Sequence, residues 1–210
     1  AEGLDPHQVN DLHGSKFADL PKVVAAQVHE HYVLCDFLGF GQSDPGPENE
    51  IEARLVKPAT VLQLLASVRG PFDPPERRVG FWAHSNGGQI ALTVLSILNE
   101  TIPTVLWAPV SKPFPYSMLY YTDDLDDDGK YLRQRLAEFE YVYDVDDFSF
   151  THFLDRLGAP LQLHQGTADD AVPRDWSDKL VATLREKEKE VTYYIYPGAD
   201  HNLRPSWDTA

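Results

Sequence analysis

The chain has one cysteine and one methionine among 210 residues, and only 18 basic side chains against 33 acidic ones. Each shortage excludes something. Cys35 alone permits no internal disulfide, and its setting in Val33-Leu34-Cys35-Asp36-Phe37 reads as that of a small buried hydrophobe. A net charge of −15 has the wrong sign for gripping phosphates, so neither nucleic acid nor an anionic membrane is an expected partner. No run approaches the roughly 20 apolar residues of a membrane-spanning helix, and no basic-then-apolar leader opens the sequence, so a soluble, cytoplasmic protein is expected.

With 42% hydrophobic residues the chain can build one core, and residues 1–210 read as a single domain. Short β-rich runs alternate with helical patterns along its length. That alternation is the mark of an α/β protein whose mostly parallel strands are joined by crossover helices. About six strands are expected, at Val9–Leu12, His31–Phe37, Arg78–Ala83, Pro103–Ala108, Pro160–His164 and Val191–Tyr196. Between them, Ile90, Ala91, Val94, Leu95 and Leu98 share one helical face, as do Trp176, Leu180, Val181 and Leu184. From 111 to 157 the alternation stops, and this stretch reads as an insertion after the fourth strand.

The segment Val79-Gly80-Phe81-Trp82-Ala83-His84-Ser85-Asn86-Gly87-Gly88-Gln89 runs an apolar strand straight into a helix, with a serine at the junction. A tight turn there lifts the serine Oγ above the sheet, and the small residues Ala83 and Gly87 keep the turn free of clashes. The helix that follows aims its amides and dipole at developing negative charge. The segment resembles the nucleophile elbow of α/β-hydrolases, G-x-S-x-G, with Ala83 in place of the first glycine. His84, beside the serine, reads as a packing residue of the turn.

A serine hydroxyl attacks only when an imidazole takes its proton and a carboxylate holds that imidazole. Downstream, Gly166-Thr167-Ala168-Asp169-Asp170-Ala171-Val172-Pro173 follows an apolar strand, and Gly198-Ala199-Asp200-His201-Asn202 follows the last one. The order Ser, Asp, His, each just past a strand's C-terminal end, is that of α/β-hydrolases. The two segments resemble those of the dienelactone-hydrolase and prolyl-oligopeptidase-like branch. That resemblance implies Ser85 as nucleophile, Asp169 as acid and His201 as base, although a shift of one residue in the loop would exchange Asp169 for Asp170. His29, His31 and His164 lack the loop placement of His201.

For the oxyanion, the resemblance implies the backbone N–H of Asn86 and that of Ser15, in the H-G-x stretch His13-Gly14-Ser15. Asp36 to Asp44 is similar to the D-x-x-G-x-G-x-S-D stretch of the same hydrolases. The 111–157 insertion is expected to cover the site like a cap, since 114 to 153 hold 11 of the chain's 24 aromatics. Phe114, Tyr116, Tyr120 and Tyr121 are its candidate pocket residues. Residues 123 to 147 hold ten acids and three bases, and Asp124-Leu125-Asp126-Asp127-Asp128-Gly129 matches the first half of a calcium loop. Arg135 stands where the twelfth ligand should be, so a solvated, helix-capping acidic turn is expected, with no metal.

Only 12 residues precede His13 and nine follow His201, fewer than the fold usually supplies. A sheet reduced at both ends is expected, and its uncovered edge would invite a second copy of the chain. The reading is a cofactor-independent carboxylesterase acting on small neutral esters. A prolyl-oligopeptidase-like peptidase is the rival within catalysis, and a catalytically silent scaffold that keeps the elbow is the rival outside it.

Overall fold

The computed structural model describes residues 36–69, 79–206, 208 and 210. The chain divides into two units, 1–47 and 48–210. Of the first, the described part is a turn closed on Asp36, whose backbone carbonyl accepts from Ser43 Oγ at 3.0 Å while Gly39 N donates to Asp44 O at 2.8 Å. Gly41 has φ +56°, and a Cβ on it would stand 2.0 Å from Asp36 Oδ2, so both conformation and space demand glycine there. The expected strand Val9–Leu12 and the donor Ser15 lie outside the described residues, as does the expected strand at His31 except Asp36 and Phe37, which are not in a strand.

The second unit holds four parallel strands among its described residues: β1 (Phe81–His84), β2 (Thr104–Trp107), β3 (Leu161–Gly166) and β4 (Val191–Tyr196). They lie in chain order β1-β2-β3-β4, each step a crossover. The helices are α1 (Glu50–Val68), α2 (Asn86–Leu98), the short α3 (Tyr116–Leu119), α4 (Lys130–Glu140) and α5 (Arg174–Glu186), with short 3₁₀ turns between α3 and β3. No described helix is long and apolar enough to cross a membrane.

The main core lies between the sheet and its helices. Leu92 and Leu95 of α2, Leu106 of β2, Leu163 of β3 and Leu184 of α5 are fully buried there, joined by Phe150, Leu154 and Leu157 from the segment before β3. The α5 face is the one expected, Trp176, Leu180, Val181 and Leu184. On α2 burial extends around the helix, to Gln89 and Ser96 as well as the apolar stripe, because a second layer covers it. That layer is α1, which sequence periodicity does not announce: Pro58 stands inside it, where proline removes a backbone donor and breaks the pattern. Its start is nonetheless well made. Asn49 Oδ1 accepts from Ile51 N at 2.9 Å, and Glu50 and Glu52 sit in the first turn, where the helix dipole favours them. A second cluster of Ile51, Phe114, Leu136 and Phe139 ties α1 to α4.

The acidic turn also has a local explanation. The Asp127 carboxylate accepts from Gly129 N at 2.9 Å and Tyr131 N at 2.7 Å, covering two amides at the start of α4. Those bonds, that from Tyr131 first, hold its carboxyl below the usual carboxylate range. Among the described residues no three His, Cys, Asp or Glu side chains converge in a metal-holding group.

His164 is the acid-sensitive point of the sheet. It sits in β3 only 3% exposed, with Nδ1 2.7 Å from Tyr196 Oη, the ring stacked on Tyr194 and Tyr196, and Nε2 without a partner. Burial lowers its pKa to about 4. Between that value and the unfolded 6.5 the unfolded chain binds the extra proton, so stability rises with pH across that window and is lost on acidification. Thermal melts between pH 7 and 4 should show a drop in Tm that is clearly smaller in His164→Gln; equal drops in both proteins would assign the acid sensitivity elsewhere.

Candidate active site

At the end of β1 the chain turns through Ser85 with φ 55° and ψ −122°, a sparsely populated conformation that costs on the order of 1–3 kcal/mol for a residue other than glycine. Its backbone is held from both sides. Ser85 N donates to Trp107 O at 2.9 Å, and Ser85 O accepts from Gly88 N at 3.0 Å and from Val110 N at 2.9 Å. The loop after β2 is packed against the first turn of α2 so closely that a Cβ on Gly88 would stand 2.4 Å from Pro109 Cβ. Gly88 therefore lets the strand–helix junction close, whereas a Cβ on Gly87 would stand 3.8 Å from Ala83 Cβ, an ordinary contact. The Asn86 amide heads α2, where the dipole favours negative charge.

Asp169 and His201 meet across the loops after β3 and β4. His201 Nδ1 lies 2.9 Å from Asp169 Oδ2 and 3.0 Å from Oδ1, with the carboxylate side chain fully buried and the imidazole 17% exposed. Three further donors fix the carboxylate: Ala171 N at 3.0 Å, Val172 N at 2.8 Å and Gln165 Nε2 at 2.9 Å. Burial alone would raise its pKa, but the bonds from His201, Val172 and Gln165 outweigh burial and hold it below the usual carboxylate range. Asp170, its neighbour, is exposed.

Two residues carry weight here that sequence reasoning passed over. Gln165 is fully buried in β3, and its Oε1 accepts from Ser177 Oγ of α5 at 2.8 Å, so α5 fixes the amide that in turn fixes Asp169. A glutamine inside an apolar strand, four residues before the acid, was the available signal. His84, read from sequence as packing, has Nε2 3.0 Å from the backbone carbonyl of His201 and its ring 4.6 Å from the His201 ring. A carbonyl only accepts, so the Nε2 of His84 carries the proton. Desolvation lowers its pKa and favours the neutral ring. The bond anchors the His201 loop to the residue next to Ser85.

The four aromatics expected to line a pocket separate. Tyr121 Oη donates to Ala171 O at 2.9 Å and packs with Val110, Val172 and Trp176, beside the acid loop. Tyr120 is half exposed, edge-on to Trp176, with Lys112 Nζ 5.2 Å from its ring centroid. Tyr116 is 61% exposed. Phe114 is buried against Phe139 and borders a cavity of about 370 Å³ that follows α2 from Asn86 to Ile97.

Comparison with known proteins agrees with this architecture. The prolyl oligopeptidase family matches residues 72–208. An uncharacterized protein of Mycobacterium tuberculosis is 25% identical over 170 residues, 81% of this chain and 52% of that protein. "Dipeptidyl peptidase family member 6" of Caenorhabditis elegans is 40% identical over 52 residues, 25% of this chain and 7% of that one. The chain thus spans about half the length of the first and a small part of the second. Est1E from Butyrivibrio proteoclasticus, solved with ferulic acid bound, shares the fold with a TM-score of 0.54 at 14% identity, covering 83% of this chain and 70% of its own.

Gly166 supplies a test of how closely the acid and base loops approach. It ends β3, and a Cβ on it would stand 2.2 Å from Ala199 O and 2.6 Å from Asp200 O. Gly166→Ala must push the loop of His201 away from that of Asp169, at a cost of about 1–3 kcal/mol. A Tm unchanged from the parent would contradict the packing described.

With the Ser85 turn, the Asp169–His201 contact and the parallel sheet in one unit and the family match over 72–208, the chain belongs to the prolyl oligopeptidase family, within the α/β-hydrolase superfamily.

Proposed function

We propose that the chain is a serine hydrolase that cleaves carboxylic esters through an acyl-enzyme, with Ser85 as nucleophile, His201 as base and Asp169 as the group that orients the base. The observation that carries the reading is the contact of His201 Nδ1 with both oxygens of a buried carboxylate, in a loop anchored beside the Ser85 turn. A carboxylate accepts, so Nδ1 carries the proton and Nε2 keeps the lone pair a base needs.

The steps follow. Nε2 takes the Ser85 hydroxyl proton as Oγ bonds to the ester carbon, and the carbonyl π electrons move onto oxygen. Asn86 N–H donates to that oxyanion, a contribution of roughly 3–4 kcal/mol to the barrier, and Ser15 N–H is the second donor in this reading. The carbonyl re-forms, the C–O bond to the alcohol breaks, and the leaving oxygen takes the proton from His201. Water then repeats the sequence on the acyl-Ser85 ester, releasing the acid and restoring the hydroxyl.

Esters are the substrate class proposed because an alkoxide departs more readily than an amide nitrogen, and Est1E, which shares the fold, was solved with ferulic acid bound. The peptidase reading has its own support, the family match and the name of the nematode relative. A panel of p-nitrophenyl esters and peptide anilides separates the two. Ester turnover should fall roughly 10⁵-fold to 10⁶-fold in Ser85→Ala and about 10⁴-fold in Asp169→Asn. Ester hydrolysis that survives Ser85→Ala would sink the reading, and a higher kcat/KM on anilides would select the peptidase.

A further inference from the structure

The cavity along α2 holds a charge that no carboxylate among the described residues neutralises. Its walls are apolar for the most part, with Ile90 on α2 and Leu62 on α1 facing Phe114, Phe150 and Phe153. Its volume, about 370 Å³, lies within the range of small-molecule sites. Into this setting α1 projects Arg54, whose hydrogen bonds, from Nε at 3.2 Å and from Nη2, both go to the neutral Oε1 of Gln89. Among the described residues no carboxylate lies within ion-pair distance of it. Desolvation holds its pKa below the ordinary arginine value. A guanidinium in such surroundings is costly unless it is paired, and a neutral amide occupies one edge of a five-donor fork.

The guanidinium is held in place and not left to wander. Gln89 is buried, and its Nε2 donates to Ser117 Oγ, itself fully buried, at 3.0 Å, which sets the amide oxygen toward Arg54. Gln89 lies one helical turn beyond Ser85, and Asn86, whose amide heads the same turn, also lines the cavity. Asn86 Oδ1 is buried with no hydrogen-bond partner. The other charged residues on the cavity wall are Asp147 and Arg156. In a chain of net charge −15 this cavity is locally cationic. The global charge predicts neutral substrates, whereas the local charge points the other way.

We propose that the cavity beside Ser85 binds an apolar carboxylate, its hydrocarbon body lying among Ile90, Phe114, Phe150 and Phe153 and its carboxylate on the open edge of Arg54, so that substrates of Ser85 carry an acidic group. Arg54 is here a specificity residue, suited to the task because its planar fork takes a carboxylate bidentately and stays charged at any working pH. The assignment to substrates rests on the serine-hydrolase reading above; the binding site does not.

The test has two arms. Calorimetry with the Ser85→Ala protein should show octanoate binding at least about tenfold more tightly than 1-octanol. Arg54→Gln added to that protein should lower octanoate affinity by a similar factor, with Arg54→Lys intermediate. Leu62→Trp, which fills the cavity, should weaken both ligands, and circular dichroism checks that each variant is folded. Equal affinity for acid and alcohol, or octanoate binding indifferent to both Arg54 variants, overturns the proposal. In the second arm, the wild type should favour p-nitrophenyl monoesters of dicarboxylic acids over their methyl-capped counterparts in kcat/KM, and Arg54→Gln should lower that ratio tenfold or more. An enzyme that turns over both esters with an Arg54-independent ratio also contradicts it. If no ester is cleaved while octanoate still binds through Arg54, the hydrolase reading has failed and the site stands.

Discussion

Parallel register is the constraint on which the rest of this structure depends. Phe81, Thr104, Leu161 and Val191 stand in one row across the four strands, and His84, Trp107, His164 and Tyr194 in another. Because all four strands point the same way, every chain segment that leaves their C-terminal ends emerges on one edge of the sheet. Ser85 follows β1 directly, while β3 and β4 continue pairing for two more residues before the loops of Asp169 and His201 begin. That extra length is carried into the loops, where Thr167 N donates to Tyr196 O and Ala168 N to Ala199 O. The acid and base loops are therefore an extension of the sheet. A carboxylate and an imidazole on such supports meet at 2.9 Å without having to search for each other, which is what preorganised catalysis requires.

Polar burial follows the same edge. Ser177, Gln165, Asp169 and His201 form one relay from α5 to the imidazole, and every buried carboxylate oxygen in it has a donor. Full satisfaction makes such a chain rigid, since breaking any link leaves a desolvated acceptor. The relay Ser117, Gln89, Arg54 differs in one respect: it ends on a cation with an edge to spare. The two networks stand on different elements, and only the first is closed. An open polar network beside a closed one is what a site for chemistry next to a site for recognition should look like, because recognition needs a group whose partner arrives from outside.

Much of this is legible in the sequence alone. Val191–Tyr196 was readable to the residue, since its β-branched and aromatic run is bounded by a charged stretch before it and by Pro197-Gly198 after it. The Ser85 turn was readable from small residues around a serine, because the steric need is local. The α1 helix was not. Its proline suppresses the periodic pattern, and what stabilises it is tertiary, the burial of Ile51, Pro58 and Leu65. One partner of the catalytic candidates was also hidden. His84 touches His201 across 117 positions, a contact made by the strand order that no spacing rule reports, whereas Gln165, four positions before Asp169, is marked only as a polar residue in an apolar strand. The aromatics of 114–153 were visible as a group, but burial sorts them. Phe114, Phe139 and Phe150 anchor the segment, while Tyr116 and Tyr141 face solvent.

Net charge illustrates the same limit. A sum over the chain is a statement about long-range fields, which salt attenuates within about 8–10 Å. The acids that dominate the sum are concentrated in 123–147, where Asp127 caps α4 and most of its neighbours are exposed. Recognition is decided instead at contact distance and in low dielectric, where one guanidinium without a counter-ion outweighs several solvated carboxylates. The walls that bring this about come from three segments remote in sequence, α1, α2 and the stretch between β2 and β3, the first and last fastened together by Ile51, Phe114, Leu136 and Phe139. In the proposed reading, the sheet edge sets what bond can be attacked, and the helical layer laid over α2 sets which molecule presents it.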